Sequence, residues 1–172
     1  RVNDKYFFDG KQTLFNHLHT DQYAMFLYYL CNTIWRREGD LSLASKVYYL
    51  NKTLNAVDIF YEVELPDIFL LVHPLGTVLG RGQYSKYFVA YQRCTVGANA
   101  EHVFPVIDEG VAMYGGSMLM GTSHIHKNSR IAAGSFVLDR EFGENQLILG
   151  NHPNVVSKLS THNVFTRNFR ME

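Results

Sequence analysis

A six-residue count limits how this chain can fold more than any other feature. In IDEGVAMYGGSMLMGTSHIHKNSRIAAGSFV, residues 107–137, an aliphatic side chain falls at Ile107, Met113, Leu119, Ile125, Ile131 and Val137 without a slip. Four residues after each of the first five come Val111, Ser117, Ser123, Ser129 and Ser135. The third position after each reads Gly110, Gly116, Thr122, Asn128 and Gly134. Neither the 3.6-residue turn of a helix nor the alternation of an amphipathic strand produces such a period. If each hexad is a short strand plus a turn, three hexads make one triangular coil of about 18 residues, and the aliphatic side chains stack from coil to coil. Small serines fit beside them, and Gly or Asn suits corners where φ is positive. A β-sandwich would instead need turn signals every 8–12 residues or so.

The register can be carried upstream through Leu79, Ser85, Tyr91 and Gly97. Gly97 and Ile107 are ten residues apart, four more than one hexad, so the segment ANAEHVFP is expected to bulge from the coil. Loops that interrupt a solenoid commonly form its binding surface.

The first third has a different grammar. Residues 1 to about 57 read as helices: Tyr23, Phe26, Leu27, Leu30 and Ile34 are spaced as one apolar stripe. Gly39 and Asp40 predict a helix end followed by the cap of a second helix through LSLASKVYYLNKTLNAV. The many Tyr and Phe side chains here are expected to pack rather than bind a ligand. The expected fold class is therefore α+β, with an N-terminal helical subdomain (1–67), a parallel β-helix of hexapeptide repeats (68–150) and a capping tail (151–172).

Sixteen basic residues balance sixteen acidic ones, which gives no electrostatic reason to expect nucleic acid or an anionic membrane as partner. Cys31 and Cys94 form neither a metal spacing nor a disulfide framework, and a cytoplasmic setting is expected. Apolar runs such as IFLLV at 68–72 are far shorter than the roughly 20 residues of a membrane span. The chain starts at Arg1 instead of Met, which suggests a preceding segment removed or left out. His124 and His126 lie two apart in SHIHKNS, but no third ligand is identifiable near them, so no metal site is expected and both are read as outward-facing coil residues.

Several stretches together resemble the serine O-acetyltransferases of the hexapeptide-repeat superfamily. They are VDIF at 57–60, HPLGTVLG beginning fifteen residues after Asp58, the hexads, and a closing GNHPN at 150–154. The resemblance spans roughly residues 20–157. The wording HPLGTVLGRGQYSKYFVAYQRCTVG is most similar to members from bacterial surface-polysaccharide clusters. The resemblance implies a left-handed β-helix, a homotrimer, and acetyl-CoA along the cleft between neighbouring coils. By motif position it implies His73 as the base that takes a proton from the acceptor hydroxyl and Asp58 as the carboxylate that orients it. It also places Gly115 and Ala133 against the pantetheine arm.

That chemistry is physically coherent. A hydroxyl is a poor nucleophile until a positioned base removes its proton, and imidazole has a suitable affinity for it. A thioester carbonyl is already electrophilic, and backbone N–H groups can hold the developing oxyanion without a metal. Lys127, Arg130 and Lys158 are the cations available for the CoA phosphates, with Lys158 the leading candidate.

The sequence departs from the family at the acceptor. Val72 stands where an acidic residue precedes the catalytic His, and Val103-Phe104 stand where Arg-His precedes Pro105. A zwitterionic acceptor would lose charged partners, and burying unpaired charge is expensive. The expected activity is thus acetyl-CoA-dependent O-acetylation of a sugar hydroxyl in surface-polysaccharide synthesis, with His102 and Phe104 near the acceptor. The alternatives are a serine O-acetyltransferase of cysteine biosynthesis and a catalytically silent assembly module.

Overall fold

The computed structural model describes residues 2–171; Arg1 and Glu172, the last residue of the expected capping tail, lie outside the described residues. Residues 2–19 are turns and isolated bridges, not helix, so the helical reading of the N-terminus begins too early. Helix α1 (Thr20–Glu38) ends at Gly39, whose φ of 67° lets its N–H reach the Ile34 carbonyl. Asp40 then caps α2 (Leu41–Asn55) by accepting from the Leu43 N–H at 2.9 Å.

The buried face of α1 is formed by Ala24, Met25, Leu27, Tyr28, Cys31 and Ile34, so the expected stripe is rotated. Phe26 and Leu30 stay exposed. The buried face is set by the connector that follows α2. The Tyr28 hydroxyl donates to the Val63 carbonyl and accepts from the Leu65 N–H, both at 2.8 Å, and Asn32 donates to the Tyr61 carbonyl at 2.8 Å. These bonds satisfy the backbone of an irregular segment that would otherwise bury unpaired groups.

Beyond the connector the chain visits three sheets in turn, adding a strand to each. The first holds β1 (Phe69–Leu71), β4 (Phe88–Ala90), β7 (Ala112–Met113), β10 (Arg130–Ile131) and β13 (Gln146–Leu149). The second holds β2 (Val78–Leu79), β5 (Thr95–Gly97), β8 (Met118–Met120) and β11 (Phe136–Leu138). The third holds β3 (Gln83–Tyr84), β6 (Val106–Ile107), β9 (His124–Ile125) and β12 (Glu141–Phe142). Every pairing among these strands is parallel.

Inside, the hexad positions stack as counted. Leu119 lies over Val96 and under Val137, Ile125 between Ile107 and Phe142, and Ile131 between Met113 and Ile148. Ser117, Ser123, Ser129 and Ser135 are buried beside them. The upstream register differs from the count. Leu79 pairs with Val96, and Tyr84 with Ile107, so the inward residues are Leu79, Tyr84, Ala90 and Val96, not Ser85, Tyr91 and Gly97. The tight corner through Gly80 and Gly82 is one residue shorter than a hexad allows. A Cβ on Gly80 would lie 2.8 Å from the Val96 carbonyl oxygen.

Residues 151–171 extend the first sheet and then turn back along a corner. Strand β14 (Val156–Leu159) pairs antiparallel with β13. Helix α3 (Val164–Asn168) follows, with Phe165 and Phe169 meeting the Tyr87 ring edge-on. No helix is long and apolar enough to cross a membrane among the described residues.

If the stacked column carries the stability, Ile125→Ala should cost about 2–5 kcal/mol in denaturant unfolding. Leu159→Ala, at a position 81% exposed, should stay within about 0.5 kcal/mol.

Candidate functional site

The corner between the first and second sheets carries the residues of interest. Four successive turns stack there: His73–Gly76, Gln92–Arg93, Tyr114–Gly116 and Ala132–Gly134. The backbone links them, Arg93 N–H to the Leu75 carbonyl at 3.0 Å, Gly116 N–H to Gln92 at 2.8 Å and Gly134 N–H to Gly115 at 3.0 Å. His73, Gly115 and Ala133, far apart in sequence, therefore share one edge of the coil. Gly115 is half-buried under the Gln92 side chain and Ala133 is exposed.

His73 has φ 47°, a left-handed conformation that costs a non-glycine residue energy unless its surroundings hold it. Asp21 holds it. The Asp21 Oδ2 accepts the His73 backbone N–H at 3.0 Å and lies 3.6 Å from His73 Nδ1. This carboxylate is buried in the first turn of α1, where the helix dipole favours negative charge. The His73 side chain is 80% exposed at the meeting of two clefts. One, about 140 Å³, is bounded by Tyr6, His19, Asp21 and Val72. The other, about 280 Å³, is bounded by Thr20, Leu54, Asn55 and Leu75. An imidazole open on one side, with a buried carboxylate near Nδ1, is arranged to accept a proton from a hydroxyl and carry the resulting charge.

No hydrogen bond or ion pair joins Asp58 to His73 among the described residues. The Asp58 Oδ1 accepts from the Tyr48 hydroxyl at 2.6 Å and its Oδ2 from Lys52 Nζ at 2.6 Å, tying α2 to the edge of the second sheet, where Asp58 bridges Val78. Burial pushes the Asp58 pKa up, but the hydrogen bonds from Lys52 and Tyr48 and the Lys52 charge outweigh it and hold the pKa below its ordinary value. The sequence spacing could not show what α2 brings to Asp58. Asp21, conversely, has only a local signal, an acidic residue in a helix first turn, which any capped helix shows.

The loop after β5 bulges as expected, but by five residues beyond an 18-residue repeat and not four, since Thr95 pairs with Met118 while Met118 pairs with Phe136, and Val96, not Gly97, is the inward residue. Asn99 organises it: Oδ1 accepts from the Glu101 and Val103 N–H groups, and Nδ2 donates to Asp139 on a neighbouring coil at 3.0 Å. His102 is exposed and Phe104 half-buried. They lie at the corner between the second and third sheets, and no hydrogen bond or ion pair joins them to His73 among the described residues.

Of the three cations, Arg130 is buried and bonds Ser160, Lys127 faces Glu109 at 3.5 Å, and Lys158 is exposed on β14. Arg130 is therefore withdrawn from the phosphate candidates. His124 and His126 project outward as expected, and the fold brings to them a carboxylate that is sixteen residues from His124 in sequence, Asp108.

No protein-family profile matches the chain. A Schizosaccharomyces pombe protein named provisionally as a serine acetyltransferase is 28% identical over 135 residues, covering 75% of this chain and 48% of that protein. The serine acetyltransferase of Brucella abortus superposes with a TM-score of 0.76 at 20% identity, covering 92% of this chain and 66% of that one. The same enzyme crystallised with coenzyme A gives 0.74 at 18% identity, covering 92% and 65%. The fold is thus that of serine acetyltransferase structures, and the chain spans about half the length of the curated relative it matches.

A depressed Asp58 pKa means that the folded chain binds this proton less readily than the unfolded one. The Tyr48–Asp58–Lys52 tie then contributes stability above about pH 4 and loses it as pH falls through the lower folded value. Asp58→Asn should flatten that acid-side fall in the unfolding midpoint, and Tyr48→Phe should raise the Asp58 carboxyl pKa when followed by NMR.

Proposed function

We propose that this chain is an O-acyltransferase that moves an acetyl group from acetyl-CoA to the hydroxyl of a small acceptor, with His73 as general base. The observation that carries the reading is the shared edge: the turn holding His73 is continuous, through backbone hydrogen bonds, with the turns holding Gly115 and Ala133. On this reading the pantetheine arm runs along that edge, with Lys158 near the phosphates. His73 takes the acceptor proton as the oxygen attacks the thioester carbonyl. The C–O bond forms, the C–S bond breaks, and the proton passes from the imidazolium to the leaving sulfur. Asp21 is a positioning residue: it fixes the His73 backbone and supports the charged ring.

Asp21 also bears on the acceptor. Val72 leaves the position before His73 neutral, yet a buried carboxylate reaches the same place from α1. A carboxylate there favours an acceptor with an ammonium group, so L-serine ranks first. This agrees with the names of the curated relative and of the superposing structures. A sugar hydroxyl in surface-polysaccharide synthesis is the second reading, favoured by the uncharged Val103-Phe104 pair in the loop. His102 and Phe104 sit at a different corner from His73, so their part in acceptor binding requires a neighbouring copy. A homotrimer of left-handed coils, as the resemblance implies, supplies one.

Release of free CoA thiol from acetyl-CoA, measured with L-serine and with a panel of saccharides, tests the reading. L-Serine should support turnover, and His73→Ala should lower it by about 10²–10⁴-fold. Turnover with a saccharide alone would transfer the reading to the polysaccharide class. Serine turnover unchanged in His73→Ala would remove the base.

A further inference from the structure

The outer face of the third sheet holds a second cluster of chemically competent side chains, on a different sheet from β1, which leads into the His73 turn. Strand β9 turns Ile125 inward, fully buried, so His124 and His126 both project from the other side. Ile107 lies directly under Ile125, which places Asp108, one residue further on, beside His126. Glu141 pairs with His124 from the coil on the opposite side. Four ligand-type side chains from three consecutive coils thus meet.

Their atoms converge. One Asp108 oxygen, Oδ1, lies 3.1 Å from His124 Nε2, and the other, Oδ2, lies 3.1 Å from His126 Nδ1. The ligand atoms of Asp108, His124 and His126 all fall within 4.8 Å of one another. Two donor atoms on a tetrahedral zinc, with bonds near 2 Å, would be about 3.3 Å apart. The two rings stack 4.0 Å apart, so their nitrogen edges address the same carboxylate. Glu141 completes the pattern: its Oε1 lies 2.8 Å from His126 Nε2. A carboxylate accepting that N–H fixes the tautomer with the Nδ1 lone pair toward Asp108, the usual outer support of a metal-bound histidine. All three inner side chains are about one-third exposed, which leaves an ion a path in and a position for water.

We infer that Asp108, His124 and His126 form a binding site for a divalent transition cation such as Zn²⁺ that clips two successive coils together and is oriented by Glu141 of the next. Two imidazoles and one carboxylate suit borderline cations over Ca²⁺ or Mg²⁺, which prefer all-oxygen shells. The site stands apart from the acyl-transfer chemistry, which needs no metal, and its fate does not depend on that reading.

The test uses the intact protein, stripped with chelator and desalted, titrated with Zn²⁺ by calorimetry and with Co²⁺ by visible absorption. One equivalent per chain should bind, Zn²⁺ should raise the thermal midpoint, and Co²⁺ should develop bands of low-coordinate nitrogen–oxygen ligation. Asp108→Asn and His126→Gln should abolish the one-equivalent transition. Glu141→Gln, a change at a side chain 70% exposed that leaves the fold intact, should weaken binding by about 10–100-fold. His162→Ala, on the exposed tail, should change nothing. Absence of stoichiometric binding, or binding equal in Glu141→Gln, Asp108→Asn and wild type, would overturn the site.

Discussion

The stacking of one inward aliphatic side chain per hexad underlies everything else in this molecule. A two- or three-residue strand cannot stand alone, and here each gains its stability from the strands of the preceding and following coils. Because Leu119 must sit over Val96, and Ile125 over Ile107, the register of every coil is fixed, and with it the position of every outward residue and every corner. A slip of one residue would bury His124 and expose Ile125. The fold can therefore hold polar side chains on its outer faces with the precision of its core.

Both clusters of chemical interest inherit that precision. At one corner, the left-handed turns at His73, Arg93, Gly116 and Gly134 form a continuous edge. At the top of this edge the coil meets α1, and the meeting is specific: the carboxylate of Asp21 captures the His73 N–H. The helical part is thus not only a packing partner, since it supplies the negative charge that the coil itself lacks at Val72. On the third sheet, the same register aligns Asp108, His124, His126 and Glu141 across three coils.

Much of this was legible in the sequence where the chain repeats strictly. The hexads from Ile107 to Val137, the Gly39–Asp40 helix junction and the bulge before Pro105 all follow from local patterns that one physical cause enforces. The upstream register was not, because Tyr84 fills an inward position that an aliphatic count passes over and the Gly80–Gly82 corner drops a residue. The motif singles out His73 but not the carboxylate that the fold brings to it. Asp21 lies 52 residues away, and its only local signal belongs equally to an ordinary helix cap. Asp58 carried the motif spacing yet is engaged by Tyr48 and Lys52, a tie set by the packing of α2 that no spacing shows. Asp108 joined His124 and His126 only once the coil rise was known.

The central claim is that Asp21, and not Asp58, positions His73. The most direct measurement compares kcat/KM for acetyl-CoA-dependent acylation in Asp21→Asn and Asp58→Asn, with correct folding of both checked by circular dichroism. The account predicts a fall of at least about tenfold for Asp21→Asn, carried mainly in kcat, and a change of less than about threefold for Asp58→Asn. The reverse order would contradict it and return the orienting role to Asp58.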